Sequence, residues 1–191
     1  MKIIGITGAI GCGKTTISSL FGQMGYDIFD ADKEVAEIYK DDAFLFQLKR
    51  VFPKIFKNGD IDKKLLRKVV FSDQQELIKL ENIVEPFLEK RFTNKIEEVS
   101  QKEGLFFIDA VLLFEKGWNK YCQKVICVTV DDDIQKQRVM QRDGISEDEF
   151  WDIYHLQMSK DKKCALADIV IDTNCSFEKL KLKVKEIVRI L

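Results

Sequence analysis

Residues 3–16 read IIGITGAIGCGKTT. Ile3, Ile4 and Ile6 form an apolar run short enough for a buried strand. Gly8, four further residues, then Gly13, Lys14 and Thr15 complete the pattern G-x-x-x-x-G-K-[ST]. Ile17, Leu20, Phe21 and Met24 follow at helical spacing, so the loop is expected between a strand and a helix. Gly8, Gly11 and Gly13 let the backbone turn tightly and adopt positive φ. The loop N–H groups then converge into an anion nest, reinforced by the helix N-terminus. Gly8, Ala9, Ile10, Gly11, Cys12, Gly13, Lys14, Thr15 and Thr16 are therefore the candidate cradle for a nucleotide's phosphates. Lys14 adds a full positive charge for the β- and γ-phosphates of ATP, and Thr15 offers a hydroxyl to Mg²⁺.

The chain of 191 residues is long enough for one α/β domain with a substantial core. Its net charge of −1 supplies no global basic field, so no nucleic-acid partner is expected and anion binding must be local. No apolar run approaches the ~18 residues of a membrane span, and the N-terminus shows no signal-peptide pattern. No membrane partner and a cytoplasmic location are therefore expected. The five cysteines, Cys12, Cys122, Cys127, Cys164 and Cys175, are odd in number and contain no C-x-x-C pair. That argues against a disulfide framework or a zinc ribbon. Cys12 lies inside the glycine-rich loop, where the helix N-terminus and Lys14 could favour its thiolate, but it occupies a free position of the motif and no catalytic role is expected. His155 is the only histidine and reads as a packed or surface residue, so a transition-metal site is not expected.

Beyond the first helix, Gly25 suits a C-cap and residues 26–29 (YDIF) a short strand. Asp30 and Asp32 follow where open α/β sheets place their ligands, and either also suits a helix N-cap. Asp32 is the candidate to face a substrate hydroxyl. Residues 43–103 read as almost wholly helical, with a turn at 57–60, a cap at Ser72-Asp73 and a new or kinked helix at Pro86. Arg67 and Arg91 are candidates to grip an anionic acceptor there. Residues 105–109 (LFFID) form an apolar strand ending in Asp109, which suits Mg²⁺ contact directly or through water. A further core strand spans 124–130, and the last spans 167–172. Ser146 with Glu149 makes a capping box. Arg142, Lys160, Lys162 and Lys163 make the helical hairpin before the last strand suitable as a lid over phosphates. Residues 176–191 read as a helix with Phe177, Leu180, Leu182, Val184, Ile187 and Val188 mostly inward.

Taken together, ITGAIGCGKTT at 6–16, DAD at 30–32, LRKVVF at 66–71, LLFE at 112–115, QKQRVMQRD at 135–143 and ADIVID at 167–172 resemble the dephospho-coenzyme A kinase family from end to end. The resemblance implies a P-loop NTPase-type α/β fold, with a five-stranded parallel sheet flanked by helices. It implies a single kinase domain over 1–191, with the core at about 1–41, 104–131 and 167–191. A helical acceptor region would occupy about 42–103 and a helical lid about 132–166. ATP with Mg²⁺ would phosphorylate the ribose 3′-hydroxyl of dephospho-CoA. Asp32 matches the family's general base, Arg142 its lid arginine on the ATP phosphates, and Arg67 an arginine of the acceptor region. Another P-loop nucleoside or nucleotide kinase, or a non-catalytic nucleotide-binding module, are the alternatives. A monomer or weak homo-oligomer is expected. The chain departs from the family pattern at Glu85, where histidine is common, and at Val111, where proline is common.

Overall fold

The computed structural model describes residues 1–57 and 59–191. In chain order it forms β1 (Lys2–Thr7), α1 (Lys14–Gln23), β2 (Asp27–Asp30), α2 (Ala31–Ile38) and α3 (Asp42–Val51). A short 3₁₀ turn over Pro53–Ile55 precedes β3 (Phe56–Lys57), β4 (Asp60–Ile61), α4 (Lys63–Ser72) and α5 (Gln74–Ser100). Then come β5 (Leu105–Asp109), a 3₁₀ turn at Trp118–Tyr121, β6 (Lys124–Thr129), α6 (Asp132–Asp143), α7 (Glu147–His155), α8 (Lys160–Leu166), β7 (Ile169–Asp172) and α9 (Phe177–Val188).

The five longer strands form one sheet in the order β2-β5-β1-β6-β7, and every pairing is parallel. β1 is central, with Ile6 opposite Asp109 on one side and Ile126 on the other. Its neighbours are buried on both faces, which explains why 105–109 and 124–129 read as near-continuous apolar runs. Strand order reverses at β1, so the loop after it opens at the edge where doubly wound sheets bind ligands.

The chain divides into two compact units, one of residues 1–30 and 99–191, the other of residues 31–98. In the first, Ile4, Ile6, Ile17, Phe21, Phe107, Ile126, Val128 and Val184 join one apolar core. Phe21 and Phe107 stack at 4.2 Å between ring centres. On α9, Leu180, Val184 and Ile187 are buried, whereas Phe177 and Leu182 are exposed. The inward stripe is therefore narrower than the apolar content suggests, because only positions spaced three or four apart share a face. Lys181 instead covers the Phe177 ring at 4.7 Å.

In the second unit, Phe44 contacts Tyr39 and Phe87 edge-on at 4.9 and 5.6 Å. Asp62 caps α4 by accepting from the Leu65 N–H at 3.0 Å. Two expectations need correction. The segment is not helical throughout, because β3 and β4 form a small antiparallel pair with Phe56 opposite Ile61. The turn expected over 57–60 includes residue 58, which lies outside the described residues. Pro86 does not start a new helix; α5 runs through it. The lost N–H bond is offset by anchoring on either side, where Ile83, Leu88 and Phe92 are buried.

Phe107→Ala should lower unfolding free energy by about 3–5 kcal/mol, measured by urea denaturation, because it empties the stacked centre of the core.

Candidate active site

The loop of residues 8–13 leaves β1 in a space that admits no side chain at two of its glycines. A Cβ on Gly8 would overlap the Val128 carbonyl and the Cys12 sulfur. One on Gly11 would overlap the Val139 methyl of α6, at a backbone φ of +78°. Gly13, at φ +92°, is the N-cap of α1, and its carbonyl accepts from the N–H groups of Thr16 and Ile17.

Side chains from elsewhere hold the loop's peptide groups. Gln135 of α6 donates from Nε2 to the Ile10 carbonyl at 2.6 Å. Its own Oε1 is buried with no hydrogen-bond partner among the described residues, at a cost of about 1–3 kcal/mol. Thr173, just beyond β7, donates its hydroxyl to the Cys12 carbonyl at 2.8 Å, and Arg138 reaches the same hydroxyl at 3.3 Å. Gln157, between α7 and α8, accepts from the Ile10 N–H at 3.1 Å.

Lys14, the first residue of α1, is buried and forms an ion pair with Asp109 at the end of β5. The other Asp109 oxygen accepts from Ser18, one turn along α1. Burial pushes the Asp109 carboxyl above its usual range, while Lys14 and Ser18 pull it down; the neighbouring Asp30 adds to the rise. Asp30 is the register partner of Asp109 across β2 and β5. Thr15 and Thr16 are exposed at the start of α1.

Burial reverses the thiolate tendency that the loop and Lys14 would give Cys12. Cys12 is 1% exposed, and burial pushes its thiol from the ordinary 9.0 up to about 11. The Lys14 N–H and charge act in the lowering direction but are outweighed by desolvation. The helix N-terminus therefore does not make this thiol a nucleophile. Cys127 and Cys164 lie with sulfurs 3.5 Å apart, and all five cysteines are free thiols.

Arg142 lies near the exposed end of α6, where its guanidinium pairs twice with Asp143 at 2.8 and 2.9 Å. Arg138, one turn earlier, contacts Thr173 beside the loop. Two of the basic residues of 160–163 are tied into the core rather than turned to solvent. Lys160 donates to the Val130 carbonyl at 3.1 Å and pairs with Asp132 at 2.6 Å. Lys163 is fully buried. The Ser146–Glu149 capping box is formed as expected. His155 stacks on Trp151 at 5.6 Å. Asn174 donates to Asp131 at 2.8 Å.

Within the second unit, Asp32 and Glu34 occupy the first turn of α2, where acids complement the helix dipole. Arg91 of α5 pairs with Glu34 at 3.0 Å, so its charge joins two helices of that unit. Asp32 and Arg67 are both exposed, the latter on α4. Glu85 is half-buried on α5. Sequence reasoning passed over Ser18 as the partner of Asp109, and Gln135, Gln157 and Thr173 as loop-holding residues. The spacing of Gln135 and Arg138 on one helix offered a signal for that helix; Gln157 and Thr173 offered none.

A glycine-lined loop after the central strand of a parallel sheet, followed by a lysine that opens a helix, defines a P-loop nucleotide-binding fold. The dephospho-CoA kinase family profile matches residues 2–179. The chain is 35% identical over 192 residues to dephospho-CoA kinase of Bartonella henselae, covering 100% of this chain and 98% of that protein. It is 36% identical over 190 residues to dephospho-CoA kinase of Aquifex aeolicus, covering 98% and 96%. The crystal structure of TT1252 from Thermus thermophilus superposes with a TM-score of 0.82 at 34% identity, covering 100% and 97%. The chain belongs to the dephospho-CoA kinase family.

The raised Cys12 thiol gives two measurable consequences. Iodoacetamide at neutral pH should leave Cys12 unmodified in the native protein, as read by peptide mass spectrometry, and label it after unfolding. Because the folded value lies above the unfolded one, the associated stability is full below pH 9.0 and is lost as pH rises through about 11. Cys12→Ala should flatten that alkaline loss in denaturation curves.

Proposed function

We propose that this chain transfers the γ-phosphoryl group of ATP to the ribose 3′-hydroxyl of dephospho-CoA, giving CoA. The observation that carries the reading is the loop in which Gly8 and Gly11 admit no side chain and whose Lys14 opens α1, in a chain matched by the family over residues 2–179. Phosphoryl transfer asks a protein mainly for alignment and for positive charge on the transferred oxygens. The loop of residues 8–16 binds the phosphates through those of its amides that Gln157 and the loop's own carbonyls do not already hold. The Lys14 ammonium turns from Asp109 to the β- and γ-phosphates, and Asp109 keeps its bond from Ser18. Arg142 adds charge from the lid, residues 132–166.

The donor set suits Mg²⁺. Thr15 presents an exposed hydroxyl, a hard oxygen ligand, where the loop meets α1. Among the described residues no cluster of three or more His, Cys, Asp or Glu could hold a metal ion, so phosphate and water oxygens would complete the shell. Thr15 would ligate the ion directly. Asp109, already accepting from Lys14 and Ser18, would reach it through water. When bound, Mg²⁺ neutralises charge on the β- and γ-oxygens.

On the acceptor side, Asp32 orients the hydroxyl and takes its proton, and Arg67 binds an anionic part of dephospho-CoA. The helices within residues 31–98 form the acceptor region, which with core and lid makes one kinase domain. Among the described residues no helix is long and apolar enough to cross a membrane. The −1 net charge supplies no global field for nucleic acid, and action as a cytoplasmic monomer or weak homo-oligomer without nucleic-acid or membrane partners belongs to the same proposal.

A coupled assay with ATP, Mg²⁺ and dephospho-CoA tests the reading, with nucleosides, nucleotides and shikimate as competing acceptors. Asp32→Asn should lower kcat by about 10²–10⁴-fold with ATP affinity retained. Unchanged turnover in that variant would remove the base role. Lys14→Ala should cost about 10²–10³-fold in kcat, and wild-type turnover there would remove its role on the phosphates.

A further inference from the structure

Lys163 is a fully buried cation that the roles assigned above leave unused. Its ammonium donates to the Val111 carbonyl and pairs with Glu115 at 2.9 Å. The same Val111 carbonyl accepts from the Thr7 hydroxyl at 3.0 Å. Thr7 is the last residue of β1 and immediately precedes Gly8. Val111 stands two residues beyond Asp109, and the intervening Ala110 N–H is bonded to the Ile6 carbonyl at 3.0 Å. Glu115 also accepts from the Met158 N–H at 2.8 Å. One carbonyl and one carboxylate thus join the entrance of the phosphate loop, the exit of the strand that carries Asp109, and α8.

An ion pair between a buried ammonium and a partly exposed carboxylate is a poor source of stability, because an apolar side chain of similar volume fills the lysine's place without desolvating a charge. Its distinctive property is direction. The ammonium has to point at the Val111 carbonyl and at Glu115 together, and α8 then fixes the turn over residues 110–115. That turn in turn fixes where Thr7 releases the chain into Gly8 and where Asp109 stands beneath Lys14.

We propose that Lys163, acting through the Val111 carbonyl and Glu115, is a positioning residue for phosphoryl transfer, holding the loop entrance and the Asp109 strand end in one register. The inference rests on the reaction assigned above. Lys163 touches neither phosphate nor acceptor in this account, so its removal acts on alignment rather than on binding.

The experiment compares wild type, Lys163→Met, Glu115→Gln and the double variant. It measures kcat and both KM values per folded molecule, with circular dichroism and melting curves as folding controls. Glu115→Gln keeps the side-chain shape and an acceptor for the Met158 N–H, so it decides the matter if Lys163→Met does not fold. The expected result is a fall in kcat of about tenfold to a hundredfold in each single variant, the range that small misplacement produces. Both KM values should stay within about threefold, and the double variant should be no slower than the worse single, as for residues acting as a unit. Variants that melt earlier but keep wild-type kcat would overturn the inference, as would a loss confined to KM or effects that multiply. A wild type that turns over dephospho-CoA beside unaffected variants overturns this inference alone. A wild type that fails to turn it over overturns the reaction as well.

Discussion

The backbone between β1 and α1 passes through a gap that has no room for a side chain at Gly8 or Gly11. Gly8 lies against the Val128 carbonyl of β6, and Gly11 lies against Val139 of α6. The close approach on both sides lets neighbouring elements reach the loop's own peptide groups. Gln135 and Thr173 occupy the carbonyls of Ile10 and Cys12. With those carbonyls engaged outward, and the Ile10 and Cys12 amides held by Gln157 and the Ala9 carbonyl, the amides left over can serve as a nest for anions, in the manner of helix N-termini and successive backbone N–H groups. A loop held this way is organised before any phosphate arrives, which is the economical arrangement for electrostatic catalysis.

Charge burial is the second theme of the sheet edge. Lys14, Asp109 and Lys163 all lie almost wholly out of solvent. Removing an ion from water costs several kcal/mol even after relaxation, so each must be matched by directed partners. Lys14 and Ser18 supply them for Asp109, and Glu115 with the Val111 carbonyl supplies them for Lys163. The two clusters lie on the same strand end, either side of Ala110. Asp109 is pushed toward protonation by burial and pulled back by Lys14, so the pair persists because both members are present.

Within residues 31–98 the organising contacts are of another kind. Aromatic edges around Phe44 and the ion pair of Arg91 with Glu34 join helices that bear several exposed polar residues. Arg67 and Asp32 are exposed there, as suits residues that would meet a polar acceptor. The core of 1–30 and 99–191 is instead built on the stacked Phe21 and Phe107 beneath a two-sided sheet.

The sequence by itself determined the strands, the loop and the helix after it. Apolar runs of strand length and the G-x-x-x-x-G-K-T spacing are local signals, and local backbone chemistry decides such elements. Family membership was legible for the same reason, since motifs from 6–16 to 167–172 recur in order. Tertiary structure alone decided the strand order β2-β5-β1-β6-β7, because pairing partners such as Ile4 and Lys124 lie up to 120 residues apart and leave no mark in spacing. It also decided that α5 continues through Pro86, where packing outweighs the local break. Cys12 shows the contrast most plainly: the sequence places its thiol beside a lysine and a helix N-terminus, but burial, which only the assembled core defines, keeps it protonated. Gln157 and Lys163 follow the same rule, for a side chain's partner across the fold depends on where the chain returns, not on its neighbours in sequence.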